Sequence, residues 1–182
     1  MATDSKHADA EEGLRINVES LSISPEETKD LCAAVSVDVQ VSASKPLQCA
    51  VWVLRLEVDM SSDSNTERHV LPLAAQCVGP VSSVCNGSLV SPPWPAASLE
   101  QAQAEGSTGA LLRLSLYDAP ETNVSLGATA ASESKGAPET DVLEALLATT
   151  AALPSLLDVS CLVDVDSEPG EAAVRNIYNP FE

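Results

Sequence analysis

Apolar residues recur at alternate positions through the first part of the chain. Val35, Val37, Val39 and Val41 are separated by Ser36, Asp38 and Gln40, the pattern of a strand with one face in a core and the other in water. Leu14, Ile16, Val18, Leu21 and Ile23 keep nearly the same period, broken once, and give way at Pro25 to an acidic cluster. This predicts a first strand and a loop, with the fold beginning at about Leu14. After Lys45-Pro46, a strand through Val51, Trp52, Val53, Leu54, Leu56 and Val58 runs out into the polar stretch Ser61 to Arg68, as in a meander. Val70 to Val81 and Val84 to Val90 are further apolar segments, the second ending at Ser91-Pro92-Pro93-Trp94-Pro95, whose prolines cannot continue a central strand. Ala96 to Glu105 reads as a short exposed helix or a loop. Gly109 to Tyr117 is a strand closed by Asp118-Ala119-Pro120, and Leu156 to Val165 is the last one expected. Between these two, residues 123–152 form an insertion. Its Ala, Ser and Gly-rich beginning is expected to be mobile, and Thr140 to Leu147 has the pattern of a short capped helix.

About seven short strands separated by turn signals predict an all-β fold, an immunoglobulin-like antiparallel β-sandwich with a short helical insertion. A C2-type sandwich is the competing topology. Residues 1–13 read as a disordered acidic tail, 14–177 as the sandwich and 178–182 as a C-terminal tail. At 182 residues one domain is expected. Hydrophobic residues make up 45%, enough for a core, but aromatics only 3%, so the core must be aliphatic and stacking platforms for bases or sugars are scarce. The formal net charge is -18, which repels nucleic acid and anionic membranes and attracts basic proteins.

Met1 to Gly13 has neither the apolar run of a secretory signal nor the arginines of a transit peptide. No apolar stretch reaches the roughly 18 to 20 residues of a membrane span. Five scattered cysteines without metal-ligand spacing read as buried thiols of an intracellular protein, and the two Asn-X-Ser sequons, at Asn86 and Asn123, as chance matches.

Catalytic chemistry finds little support. The only histidines are His7 and His69, no glycine-rich phosphate loop occurs, and nothing buries a pair of carboxylates. The reading is therefore no enzyme, no cofactor and no bound metal. Asp158, Asp164 and Asp166 share the parity of one strand face, where a C2-like module could ligate calcium, but a solvated acidic face is the commoner case. Asn179-Pro180-Phe181 favours a turn presenting Phe181. The tripeptide is similar to the ligands of Eps15-homology domains, and the competing reading docks Phe181 and Tyr178 on the domain itself.

In order, several segments resemble the anti-silencing-function histone chaperone family. Val35 to Val41 is similar to its second strand and Val51-Trp52-Val53-Leu54 to its tryptophan strand. Val78-Gly79-Pro80-Val81 repeats its VGPV turn, and Ser91-Pro92-Pro93 falls at its double-proline loop. Leu112 to Tyr117-Asp118 lies where its central strand ends, Leu157 to Val163 resembles the strand after it, and Val174-Arg175-Asn176-Ile177 repeats its VRNI. The resemblance implies an intracellular, nuclear or nucleocytoplasmic immunoglobulin-like monomer that holds the histone-three/histone-four dimer for chromatin assembly or disassembly.

Carried over by position, the partner surface implied is Ala110, Leu112 and Leu114 on an exposed strand offering its backbone for pairing, with Asp158 and Glu67 nearby. Ala110 stands where the family has a contacting valine, Asp158 where it has an arginine, and Cys161-Leu162 where it has two tyrosines. Acidity falls instead on Glu57, Asp59, Asp63 and Glu67.

Overall fold

A computed structural model of the chain describes residues 13–62, 65–95, 110–120, 139–166 and 172–181, excluding the side chains of 59–62, 65–67 and 139–141. The strands are β1 (Ile16–Ser24), β2 (Glu27–Thr28), β3 (Ser36–Ala43), β4 (Leu47–Ser62), β5 (Asn65–Val81), β6 (Val84–Val90), β7 (Ala110–Asp118), β8 (Leu157–Asp166) and β9 (Val174–Tyr178), with helix α1 (Glu139–Thr150) before β8. Among the described residues they form a three-stranded sheet, β1-β3-β6, and a six-stranded sheet, β2-β9-β8-β7-β4-β5. Every pairing is antiparallel. The fold is the expected all-β, immunoglobulin-like sandwich with a short helix in the insertion.

The period of two decides what lies between the sheets. From the small sheet come Leu21, Ile23, Val37, Val39, Val41, Cys85 and Leu89; from the large one Trp52, Leu54, Leu56, Val58, Ala110, Leu112, Leu114, Leu116, Val159, Cys161, Val163 and Ile177. In a core with so few aromatics, Trp52 is wholly buried and takes its space from a glycine. A Cβ built on Gly87 would lie 2.8 Å from the Trp52 ring and 2.9 Å from Val39 Cγ1. Gly87 is therefore the close-approach residue that lets β6 cross the indole.

Two of the motifs have structural work inside this frame. Ser91 exchanges bonds with Val35, its Oγ accepting from the Val35 amide at 2.9 Å and its own amide donating to the Val35 carbonyl at 2.8 Å. It also accepts from Trp94 Nε1 at 3.2 Å, while the Trp94 amide donates to the Cys32 carbonyl. The indole so seated lies 4.2 Å from the guanidinium of Arg175 on β9. Arg175 is fully buried, and its Nη1 donates to the carbonyls of Leu31 and Ala33 at 2.9 and 2.8 Å. A buried cation is thus held by a ring face and two carbonyl dipoles, fastening β9 to the loop before β3. Burial draws the Arg175 pKa down, against the upward pull of the Asp30 charge.

The Val78-Gly79-Pro80-Val81 segment makes the irregular end of the β4–β5 ladder. Register shifts fall between Leu47 and Ala50 and between Ala50 and Val51, and Gly79 has a φ of 89°, a backbone state open to glycine. The amides of Gln48 and Cys49 turn to Asp118 Oδ1 at 2.7 and 2.9 Å, which satisfies donors that the irregular ladder strands. A further shift falls beside Pro72 on β5, at the edge of the large sheet.

Three expectations are corrected. Leu156 to Val165 is not the last strand, because β9 follows; its five residues are too few to show a period. Tyr178 ends β9 instead of opening a tail. The helix runs to Thr150, and Leu146, Leu147 and Val142 pack against the large sheet. Ala96 to Glu105, residues 123–138 and residues 1–12 lie outside the described residues.

Candidate functional site

The face of the large sheet turned away from the small one is the most chemically varied surface described. Residues opposite one another across antiparallel strands share a face, so this surface can be read in rows. At one end Cys77, Val51 and Tyr117 stand side by side, and next to them Ala75, Val53, Ser115 and Asp158. The following rows are Pro72, Arg55, Arg113 and Ser160, then Val70, Glu57, Leu111, Leu162 and Tyr178. Helix α1 covers the first end, burying Val51, Val53, Tyr117 and Leu146 in a second small core. The other end is uncovered among the described residues. Val70, Leu162 and Tyr178 are 47%, 45% and 52% exposed there, so three large apolar side chains face water on one row.

Ionic groups hold the ground between the covered and open ends. Glu57 is nearly buried, and Arg113 Nε and Arg68 Nη1 each lie 3.1 Å from its carboxylate. Arg55 Nη1 donates to the Tyr117 hydroxyl at 2.9 Å, with its guanidinium 5.7 Å from the ring centre. Ser115 Oγ donates to Asp158 Oδ1 at 2.6 Å, and Ser155 Oγ to the other carboxylate oxygen. Partial burial pushes the Asp158 carboxyl up. The two serine hydrogen bonds and the Arg113 and Arg55 charges outweigh it and hold the group below its ordinary value. At pH 7 Asp158 is an anion fixed at the edge of the face.

The carried-over partner residues are only partly here. Ala110, Leu112 and Leu114 are 5%, 1% and 2% exposed and belong to the core between the sheets. The strand they occupy is not an edge, since β7 is paired with β4 on one side and β8 on the other. Its backbone has no free ladder to offer, and its outward residues are Leu111, Arg113, Ser115 and Tyr117. Matching by the Tyr117-Asp118 anchor selected the inward parity, and a shift of one position exchanges every side chain between faces. Asp158 does lie on the outer face. Glu67 pairs with Met60 by backbone, and its side chain is outside the described residues.

Asp158, Asp164 and Asp166 do not converge. The first two are six residues apart, about 20 Å along a strand. Asp158 is bound by serines, while Asp166 accepts from Asn176 Nδ2 at 2.9 Å. Among the described residues no group of three His, Cys, Asp or Glu is placed to hold a metal ion, and no helix is long and apolar enough to cross a membrane.

Asn179-Pro180-Phe181 forms the anticipated turn. The Phe181 amide donates to Asn179 Oδ1 at 3.1 Å, and Asn179 Nδ2 donates to the Leu21 carbonyl at 3.0 Å. The turn is therefore pinned to β1 while Phe181 stays 53% exposed.

Sequence reasoning did not single out Arg113 or the helix cover of the face; it named Leu162 only as a lost tyrosine position and Tyr178 only as a tail residue docking on the domain. The odd-numbered parity of β7 was the available signal, since Arg113 in an apolar run marks its outward side. Compared with known proteins, the sequence matches no family model and no curated protein.

Proposed function

We propose that the protein is a non-enzymatic binding module of histone-chaperone type, which holds a basic protein partner on the open end of the large sheet. The family resemblance makes the histone-three/histone-four dimer the first partner to test. The observation that carries the reading is the row Val70, Glu57, Leu111, Leu162 and Tyr178 on a chain of net charge -18. Exposed apolar side chains supply contact area, and the acidic chain steers a basic partner and competes with DNA for it. Binding, not turnover, is the mechanism, and the address that fits it is nuclear or nucleocytoplasmic.

The test is co-elution of the monomeric protein in size-exclusion chromatography with the histone-three/histone-four dimer and, separately, with the other core histone dimer, at near-physiological and high salt. A salt-resistant complex with the first alone, weakened at least tenfold by Leu162→Arg or Tyr178→Arg without loss of thermal stability, is the expected result. Binding to both dimers that vanishes in salt reduces the role to charge attraction. No binding in any condition rejects the proposal.

A second reading rests on the Asn179 turn: an adaptor that presents Phe181 to the pocket of an Eps15-homology domain. Phe181→Ala would abolish that contact and leave histone binding intact.

A further inference from the structure

Cys49 and Cys77 sit on adjacent strands under the edge of α1, and their sulfurs are 3.2 Å apart. The irregular ladder brings them together. Cys77 stands opposite Val51, two positions along β4 from Cys49, and the register shifts at Ala50 with the glycine turn at Gly79 draw the diagonal pair into contact. The Gly79 amide also hydrogen-bonds the Cys49 sulfur. Cys49 is buried, whereas Cys77 is partly open to solvent. The remaining thiols stand apart from them: Cys85 and Cys161 are in the core between the sheets, and Cys32 is in the loop before β3.

We propose that Cys49 and Cys77 are a redox-modification site that closes to a reversible disulfide with a low-molecular-weight disulfide such as oxidised glutathione. Closing the contact to a bond of about 2.0 Å requires the sulfurs to approach by about 1 Å, a movement the irregular end of a ladder can absorb. The more accessible Cys77 loses its proton to solvent and attacks one sulfur of glutathione disulfide, forming a mixed disulfide and releasing one glutathione thiolate. Cys49 then gives up its proton and attacks the Cys77 sulfur, and the second glutathione thiolate leaves. Two protein thiols are oxidised to one disulfide, glutathione disulfide is reduced to two glutathiones, and the two protons end on the thiolates released. Burial, with the neighbouring Cys77 sulfur, pushes the Cys49 thiol up, which makes the second step the slower one. Cys161, whose thiol burial pushes up to about 11, provides an internal inert control.

The test uses the full chain in its native state, incubated with glutathione disulfide, quenched with acid, then denatured, alkylated and examined by tandem mass spectrometry. The expected result is loss of two of the five alkylatable thiols, with a linked peptide joining Cys49 to Cys77 and full recovery after dithiothreitol. Cys49→Ser should trap glutathione on Cys77, because the resolving thiol is gone, and Cys77→Ser should lose no thiol. Retention of all five thiols, a lasting glutathione adduct on the native sequence, or a link through Cys32, Cys85 or Cys161 overturns the proposal. The native-sequence peptide map decides the matter even if a serine variant fails to fold.

Discussion

The contact between Trp94 and Arg175 makes the sharpest test of how the sandwich is held. Trp94 is 2% exposed and Arg175 not at all, so removing the indole both empties a ring-sized volume and leaves a guanidinium facing a void. Truncating a buried tryptophan to alanine costs about 3 to 5 kcal/mol. The stranded cation should drive Trp94→Ala to the upper end, about 4 to 5 kcal/mol, because cation–π attraction at a desolvated site is worth about 2 kcal/mol. Trp94→Phe keeps an aromatic face over the cation and loses chiefly the bond from Nε1 to Ser91, about 1 kcal/mol. Adding Arg175→Met to Trp94→Ala removes the stranded charge but leaves the carbonyls of Leu31 and Ala33 without their donor, so two effects of about 1 to 2 kcal/mol each should nearly cancel. Urea denaturation followed by fluorescence of the remaining Trp52 measures all three. If Trp94→Ala costs less than about 2 kcal/mol, the stack does not anchor β9.

Gly87→Ala should lower stability by about 1 to 3 kcal/mol in thermal denaturation, because the new methyl group meets the Trp52 ring at 2.8 Å. Leu112→Arg, at a site 1% exposed, should abolish the cooperative near-ultraviolet dichroism transition, at a cost above about 4 kcal/mol; a folded variant with weakened partner binding would instead return Leu112 to the docking surface. Asp158, whose folded pKa lies below its ordinary 3.8, contributes stability that is present above that value and lost as the pH falls through the folded pKa. Asp158→Asn should therefore flatten the decline in melting temperature on acidification below about pH 4, and an unchanged decline would remove the serine bonds from the account.

What could be read from the sequence follows from how each element signals itself. Strict alternation marked β3, and the apolar run at Leu111 to Tyr117 marked β7, because water and core select opposite residue types on the two faces of a strand. The same alternation could not say which parity of β7 faces inward once Ala110 had been fixed by an anchor, and Leu112 and Leu114 went with it to the wrong side. β9 was read as a motif, not a strand, because its second position carries Arg175, a cation whose ring partner lies eighty-one positions earlier at Trp94. Where the predicted helix would lie was equally hidden, since only the third dimension shows that Val51 and Tyr117 are covered by it. The segments carrying the family resemblance prove to have internal duties. Gly79 turns the irregular ladder, Asp118 binds two of its amides, and Arg175 pins β9. They are determinants of shape, whereas the proposed contact row includes Leu162, which the resemblance marked only as a lost tyrosine, and Tyr178, which was read as part of a tail.

The long outer margin of β5 has a consequence for how molecules of this kind coexist. An edge strand of seventeen residues, bordered on its outer side by no other strand among the described residues, would ordinarily invite another chain to extend the sheet. Here Pro72 and Pro80 remove two amide donors, the register breaks beside Pro72 and at Gly79, and Gln76 turns its carboxamide oxygen to the Ser88 amide of β6. An incoming strand meets interrupted stretches instead of one continuous template, so the margin guards against fibril-like self-association without involving the outer face, where the proposed partner would dock.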